Sequence, residues 1–188
     1  MKEDRRIRKS KNALKRALFE LIVKKSFSKI SVSELCELAD VNRSTFYSNY
    51  EDMIHLLSDI HKDFFDEMMK YATNYITEGL TYSQLQQQTL IGMIDYIDTN
   101  KKLVQILFNH SEPQLLEKNM VTYFTERYHT LESNKLDSYP FIYHTYAFFA
   151  LLNTWVKDNF PCSATQFAQI IIEQSKVLYR SMSFTKLS

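Results

Sequence analysis

Residues 31–50 read SVSELCELADVNRSTFYSNY, and this stretch constrains the fold most, because it encodes two helix starts separated by a tight turn. Ser31 with Glu34 three residues on has the spacing of a capping box, in which the hydroxyl accepts from the Glu34 backbone and the carboxylate returns to the Ser31 N–H. Ile30 and Leu35 flank it as a hydrophobic staple. Asn42 is a second N-cap ahead of Arg43, and Val41 and Phe46 repeat the staple spacing. One helix therefore ends near Ala39 and the next begins at Arg43. Asp40 falls in the turn, where positive φ is needed and where Asp, after Gly and Asn, is tolerated. Leu35, Leu38, Ala39, Val41 and Phe46 supply a small shared core. The pattern is a helix-turn-helix.

The second helix then has a polar face to spare, with the chemistry that a DNA major groove demands. Arg43 can donate two bonds to guanine O6 and N7, and Ser44, Thr45 and Tyr47 can bond base edges or touch a thymine methyl. These four are assigned to base reading. Ser48 and Asn49, with Ser31 and Ser33 at the start of the preceding helix, are placed for phosphate oxygens, which fix register rather than sequence. The competing interpretation is a short surface helix of ordinary solvated residues.

Charge distribution favours nucleic acid. Residues 1–50 hold 12 Lys and Arg against 6 Asp and Glu, whereas residues 51–188 hold 11 against 16, so a net charge of +1 hides a basic head on an acidic body. Lys9 and Lys11 are assigned to phosphate, and Arg5, Arg6 and Arg8 to an N-terminal arm that can track phosphates or enter a minor groove.

With 188 residues and 45% hydrophobic content, the chain can bury a proper core. Only 2 Gly and 3 Pro argue for long helices with few tight turns, and leave no Gly-rich phosphate loop. Cys36 and Cys162 have no metal-ligand spacing, and the charged N-terminus lacks a following apolar run, so a reducing, cytoplasmic setting is expected. The most apolar segment, residues 141–156, is interrupted by His144, Thr145, Asn153 and Thr154 and is shorter than the roughly 20 residues of a spanning helix.

Helical periodicity runs almost throughout. Ile7, Leu14, Ala17, Leu18, Leu21 and Ile22 predict a helix over about 5–25, and Asp52 caps a long connecting helix over about 52–75. Further helices are expected at about 81–98, 101–110, 113–131, 140–158 and 164–181, with Pro113, Pro140 and Pro161 at borders. The expected fold is all-α: a three-helix head over residues 1–50, joined by a long helix to a helical regulatory and dimerisation body over 51–188, with about nine helices.

The segment ISVSELCELADVNRSTFYSNY, residues 30–50, preceded by one amphipathic helix and followed by a connecting helix, resembles the DNA-binding head of the TetR family of bacterial transcriptional regulators. The Thr45-Phe46-Tyr47 step and the closing Asn49-Tyr50 carry the likeness, which covers about the first 60 residues. Many relatives have Gly where Asp40 stands and a phosphate-touching Lys where Met53 stands, and Met53 cannot make that contact. The resemblance implies an all-helical body, a homodimer and often an inducer pocket. The segment YEDMIHLL at 50–57, with WVKDNF at 155–160, Ser163 and Phe167-Ala168, is more similar to the branch containing the dihydroxyacetone-kinase activator DhaS, although relatives usually have Gly near Asn159. In that branch a protein partner can replace the small inducer.

Ser163 with Gln166 forms a further capping box, and Cys162 with Phe167 its staple. The last helix lines up Phe167, Ile170, Ile171, Gln174, Val177 and Leu178, and the helix before it carries Tyr143 with the small stripe Ala147, Ala150, Leu151 and Thr154. Both stripes suit either intramolecular core or a subunit interface, and the resemblance favours a four-helix dimer interface and hence a pseudo-palindromic operator. Phe108, Tyr123, Phe124, Tyr143, Tyr146 and Trp155 are candidates to wall a pocket for an apolar or aromatic ligand, or else simply fill the core.

No catalytic, metal or cofactor site is expected. His110, His129 and His144 with Glu112, Glu126 and Asp158 show no ligand spacing. The expected function is a homodimeric, sequence-specific transcriptional regulator, a repressor released by a small molecule. The alternative is a co-activator or DNA-localised interaction protein controlled by a protein partner.

Overall fold

A computed structural model describes residues 5–110, 112–129 and 138–182. Among them are nine α-helices and no strand: α1 Arg5–Ile22, α2 Val32–Ala39, α3 Arg43–Asn49, α4 Met53–Ala72, α5 Tyr82–Thr99, α6 Lys101–Asn109, α7 Pro113–His129, α8 Ser138–Lys157 and α9 Ala164–Met182. The chain is all-α, as its periodicity predicts. Helix α1 ends at Ile22, short of the expected 25, a 3-10 turn, Phe27–Lys29, lies in the connection to α2, and a second, Thr73–Tyr75, takes the place of the expected last turn of α4. Helix α8 begins two residues before Pro140 rather than at it. A proline is tolerated there because first-turn N–H groups have no intrahelical acceptor.

The predicted caps form at α3, α4 and α9, and α5 has a further one that was not among those predicted. Asp52 Oδ1 accepts from the His55 N–H at 2.7 Å and starts α4. Thr81 and Gln84 close a reciprocal capping box at α5, and Ser163 and Gln166 do the same at α9. At α2 only half of the expected box is made. Ser31 Oγ accepts from the Glu34 N–H at 3.2 Å, but the Glu34 carboxylate turns away to pair with Lys25 of the α1–α2 connection.

Each amphipathic helix contributes one face to a continuous apolar core. In the head, Leu14, Leu18 and Ile22 of α1 close on Leu35 and Phe46, all essentially inaccessible to water. Leu38, expected in that core, is instead 44% exposed, because the eight-residue α2 turns only one side to α1. Helix α4 runs out of the head into the body, burying Leu56, Leu57, Ile60, Phe64, Phe65 and Met68. It packs against α5 and α7, while α8 packs on α6 and α7 and α9 on α5. Gly92 makes the α4–α5 contact close, since a Cβ there would lie 2.7 Å from Ala72 Cα and 2.8 Å from Tyr75 Cδ2. Tyr71 and Tyr75 both donate to Asp95 Oδ2 at 2.7 Å, locking the end of α4 to α5, and the Asp95 bond raises the Tyr75 phenol above its usual range.

Helix α8 ends in two consecutive left-handed residues, Asn159 at φ 58° and Phe160 at φ 59°. The conformation accounts for glycine being usual near this position in relatives. Phe160 is held there by an edge contact to Trp155, with ring centroids 4.8 Å apart, and by Lys101 over its ring. Asn159 Oδ1 accepts from Gln105 Nε2 at 2.9 Å.

Candidate nucleic-acid interface

The tight turn of the head depends on Asp40, which sits in the left-handed region at φ 51°, ψ 47° and directs its N–H to the carbonyls of Cys36 and Glu37. That turn sets α3 across α2. Asn42 Oδ1 accepts from both the backbone N–H and the hydroxyl of Ser44, at 2.9 Å each, so α3 starts sharply at Arg43. Phe46 and Tyr50 are the buried anchors of this short helix, with Thr45 and Asn49 half-buried beside them.

The opposite face of α3 is open. Arg43 and Ser44 are exposed, and Tyr47 is 53% exposed while its ring packs edge-on against Phe46 at 5.2 Å. Of the four residues assigned to base reading, Arg43 and Tyr47 project into solvent, Ser44 is exposed with its hydroxyl donated to Asn42, and Thr45 is partly covered. Ser48 donates to the Ser44 carbonyl at 2.8 Å and Asn49 Nδ2 to the Thr45 carbonyl at 2.7 Å, so both are engaged with their own helix. Ser31 and Ser33 are exposed at the start of α2.

The basic residues are distributed in two ways. Arg5, Arg6 and Arg8, expected as an arm, belong to the first two turns of α1 and are exposed there. Lys9 is also exposed, whereas Lys11 is half-buried with its ammonium 5.7 Å from the centre of the Tyr50 ring. Met53 opens α4 half-buried against the core, where a lysine in many relatives would face phosphate.

A polar network that no local motif announces ties the recognition helix to the rest of the molecule. Tyr50, the C-cap of α3, donates to Asp59 Oδ2 at 2.8 Å, and Lys15 of α1 bridges Asp59 and Asp63 at 2.9 and 2.6 Å. Burial works to raise the Asp59 carboxyl, but the bonds from Lys15 and Tyr50 outweigh it and hold the group below the ordinary carboxylate range. Three elements, α1, α3 and α4, meet at one carboxylate.

In the body, the aromatics proposed as a pocket wall do not converge. Phe108 is buried and stacks on Phe149 at 5.6 Å, and Trp155 is buried, stacks on Phe167 at 4.3 Å and donates Nε1–H to the Cys162 carbonyl. Tyr123 donates to Asp66 Oδ1 at 2.7 Å, with Phe124 half-buried beside it. Tyr143 and Tyr146 are 58% and 46% exposed on the outside of α8. For Tyr143, Tyr146 and Trp155 the reason is that α8 is apolar nearly all round, so its sequence does not mark one inner face. A cavity of about 510 Å³ lies elsewhere, between α1 and the α4–α6 side of the body, and none of the six lines it.

The interface candidates also divide. Ala150, Leu151 and Thr154 of α8 and Ile170 and Gln174 of α9 are exposed, and Ala147 is half-buried. Phe167 and Ile171 are buried within the subunit's own core, because Phe167 stacks on Trp155. The side chains of Val177 and Leu178 lie outside the described residues, as does that of His129. Among the described residues, no group of three His, Cys, Asp or Glu is placed to hold a metal ion, and no helix is long and apolar enough to cross a membrane.

Among the described residues, His61, Thr125 and Asn153 each bury a side-chain polar atom that has no hydrogen-bond partner, and His61 is the titratable one of the three. His61 of α4 is inaccessible to water, and its Nδ1 lies 3.0 Å from Asn119 Nδ2, a donor that also reaches Ser58 Oγ. Nδ1 is therefore the acceptor, and the ring proton sits on Nε2, which has no partner. Burial pulls the His61 pKa down to about 4.

An all-helical chain with a helix-turn-helix at its N-terminus, and a body carried on one long helix from it, has the architecture of a transcriptional regulator. The fold is that of the TetR family, and residues 84–176 match that family's model, described as transcriptional regulator C-terminal region. A TetR transcriptional regulator from Streptococcus agalactiae 2603V superposes with a TM-score of 0.62 at 21% identity, over 92% of this chain and 96% of that one. NalD, the secondary repressor of the MexAB-OprM multidrug efflux pump in Pseudomonas aeruginosa, superposes with 0.59 at 15%, over 89% and 96%. In sequence, the chain is 25% identical over 116 residues to the dhaKLM operon transcriptional activator DhaS of Lactococcus lactis subsp. lactis (strain IL1403). That match spans 62% of this chain and 54%, about half, of the activator. A solved dihydroxyacetone kinase operon activator DhaS superposes with 0.54 at 19%, over 89% of this chain and 97% of that one.

Proposed function

We propose that this chain is a homodimeric, sequence-specific DNA-binding regulator in which residues 1–50 bind DNA and residues 51–188 control and pair them. The observation that carries the reading is the open face of α3, where Arg43, Ser44 and Tyr47 are exposed on a helix anchored from behind by Phe46 and Tyr50. Such a helix presents bidentate and hydroxyl donors at the spacing of base edges, and Ser31 and Ser33 with the α1 arginines supply phosphate contacts around it. Dimerisation is supported by the apolar surface left on α8 and α9, where Tyr143, Tyr146, Leu151 and Ile170 are each more than a third exposed. A two-fold dimer places two α3 helices in successive major grooves and reads a pseudo-palindrome.

Repression relieved by a small molecule is the form of control proposed, because polar bonds from α1 and from the end of α3 meet at Asp59 of α4, so a perturbation there bears on the setting of the recognition helix. Arg43→Ala is expected to cost about 1–3 kcal/mol on the cognate duplex and to relax the preference at one base pair, while leaving binding to random DNA nearly unchanged. Equal losses on both duplexes would remove Arg43 from base reading.

A second reading is control by a protein partner. It is supported by the sequence match to the Lactococcus operon activator and by the filled aromatic core of the body, where Phe108–Phe149 and Trp155–Phe167 stacks occupy the space expected for an inducer. Co-purification of a stoichiometric second protein with the full chain, lost on Tyr143→Glu, would favour it.

A further inference from the structure

We propose that the cleft between α1 and the body is an effector site for a small organic anion with a flat apolar part. This inference rests on the reading of the chain as a DNA-binding regulator and names where, and by what chemistry, it is controlled.

The cleft encloses about 510 Å³, within the size range of small-molecule sites. Its floor is apolar: Phe19 of α1, Ile60 and Phe64 of α4, Tyr96 of α5 and Leu103 of α6. Charged groups of both signs stand at the rim, but they are not equally available. Asp63 is taken by Lys15 at 2.6 Å, and Glu67 faces Lys70 at 3.4 Å. Lys9 and Arg16 also line the cleft, and among the described residues neither has an ion-pair partner. An apolar floor beneath two uncommitted cations suits an anion whose ring lies on Phe64 and Tyr96 while its charge meets Arg16, which donates in a planar fork.

Position gives the site its regulatory meaning. One wall is the head and the other is the body, so an occupant touches both. Lys15 lines the cleft and is also the cation that holds Asp59, the carboxylate to which Tyr50 anchors the recognition helix. An anion bound beside Lys15 competes with Asp59 and Asp63 for it and so favours a different setting of α3 and α4. A ligand that contacts the two settings differently shifts their populations, and by linkage DNA must alter its affinity by the same factor.

The test uses the full chain and three naphthalene probes of similar shape: naphthalene-1-sulfonate, 1-naphthol and 1-naphthylmethylamine. Calorimetric titration is expected to show one sulfonate per chain, bound about ten-fold or more tighter than the naphthol or the amine. Arg16→Gln is expected to remove that preference with little change in thermal stability, whereas Lys102→Gln, exposed on α6 outside the cleft, leaves it intact. Leu103→Asp, which puts an anion on the floor, should abolish sulfonate binding. Equal binding of the three probes, or an unchanged preference in Arg16→Gln, would overturn the site. Equal sulfonate affinity for free and DNA-bound chain would overturn its regulatory role. If the chain binds no specific DNA at all, the functional reading fails separately, since the probe titrations need no DNA.

Discussion

Tyr50 and Asp59 join the end of the recognition helix to the long helix that follows it, through one phenol–carboxylate bond of 2.8 Å in a half-buried setting. The bond matters because α3 is only seven residues long and cannot hold its own orientation. Tyr50→Phe keeps the ring in its buried place and removes only the donor. The expected loss is about 1.5–3 kcal/mol of stability, as for a hydrogen bond to a charged group. A double-mutant cycle with Asp59→Asn, followed by urea unfolding, should show the two changes to be non-additive; strict additivity would mean that the pair is not coupled.

His61 makes stability depend on pH. Its folded pKa of about 4 lies below the ordinary 6.5, so the unfolded chain takes up this proton first as pH falls. The contribution is fully present above about pH 6.5 and is lost progressively down to about 4, amounting to about 3 kcal/mol. His144, also lowered by burial, acts in the same direction. Urea midpoints at pH 7.5 and 5 should differ markedly in the wild type and less in His61→Gln, where the amide cannot protonate. An identical pH dependence in the variant would show that His61 is not the group responsible.

Gly92 sets how closely α5 approaches the end of α4. A methyl group there meets the Ala72 backbone, which cannot swing aside as a side-chain tip would. Gly92→Ala is therefore expected to destabilise by about 1–3 kcal/mol despite the better helix propensity of alanine. A rise in melting temperature would contradict the packing described.

The outward faces of α8 and α9 should be lost to solvent in a dimer. Leu151→Glu combined with Ile170→Glu is expected to yield a folded monomer, because both side chains are exposed in the subunit and neither supports its core. Light scattering after gel filtration distinguishes the outcomes. A dimer of unchanged mass would move the interface elsewhere.

Much of this molecule is legible in its sequence, wherever the signal is local. Asn42, Asp52 and Ser163 mark helix starts by side-chain chemistry that acts within three residues, and all three caps form. Asp40 was legible as a left-handed turn residue for the same reason. The reading fails where a distant partner competes. The Glu34 carboxylate prefers Lys25 to the Ser31 N–H, and Leu38 is left outside because its helix touches α1 on one side only. The aromatics of α8 could not be sorted into core and surface, since a helix apolar all round has no pattern to sort by. Lys15 is distant in the chain from Tyr50 and Asp59, and nothing in the spacing of three common residue types foretells that Lys15 and Tyr50 meet at the Asp59 carboxylate.

Selection of bound duplexes from a random pool, at near-physiological salt where nonspecific phosphate binding is suppressed, tests the central claim most directly. The full chain should enrich a single pseudo-palindrome whose half-sites are centred about one helical turn apart, or a multiple of it, with Arg43→Ala relaxing the same base pair in each half. Failure to enrich any sequence, with binding that tracks only salt, would contradict a base-reading α3.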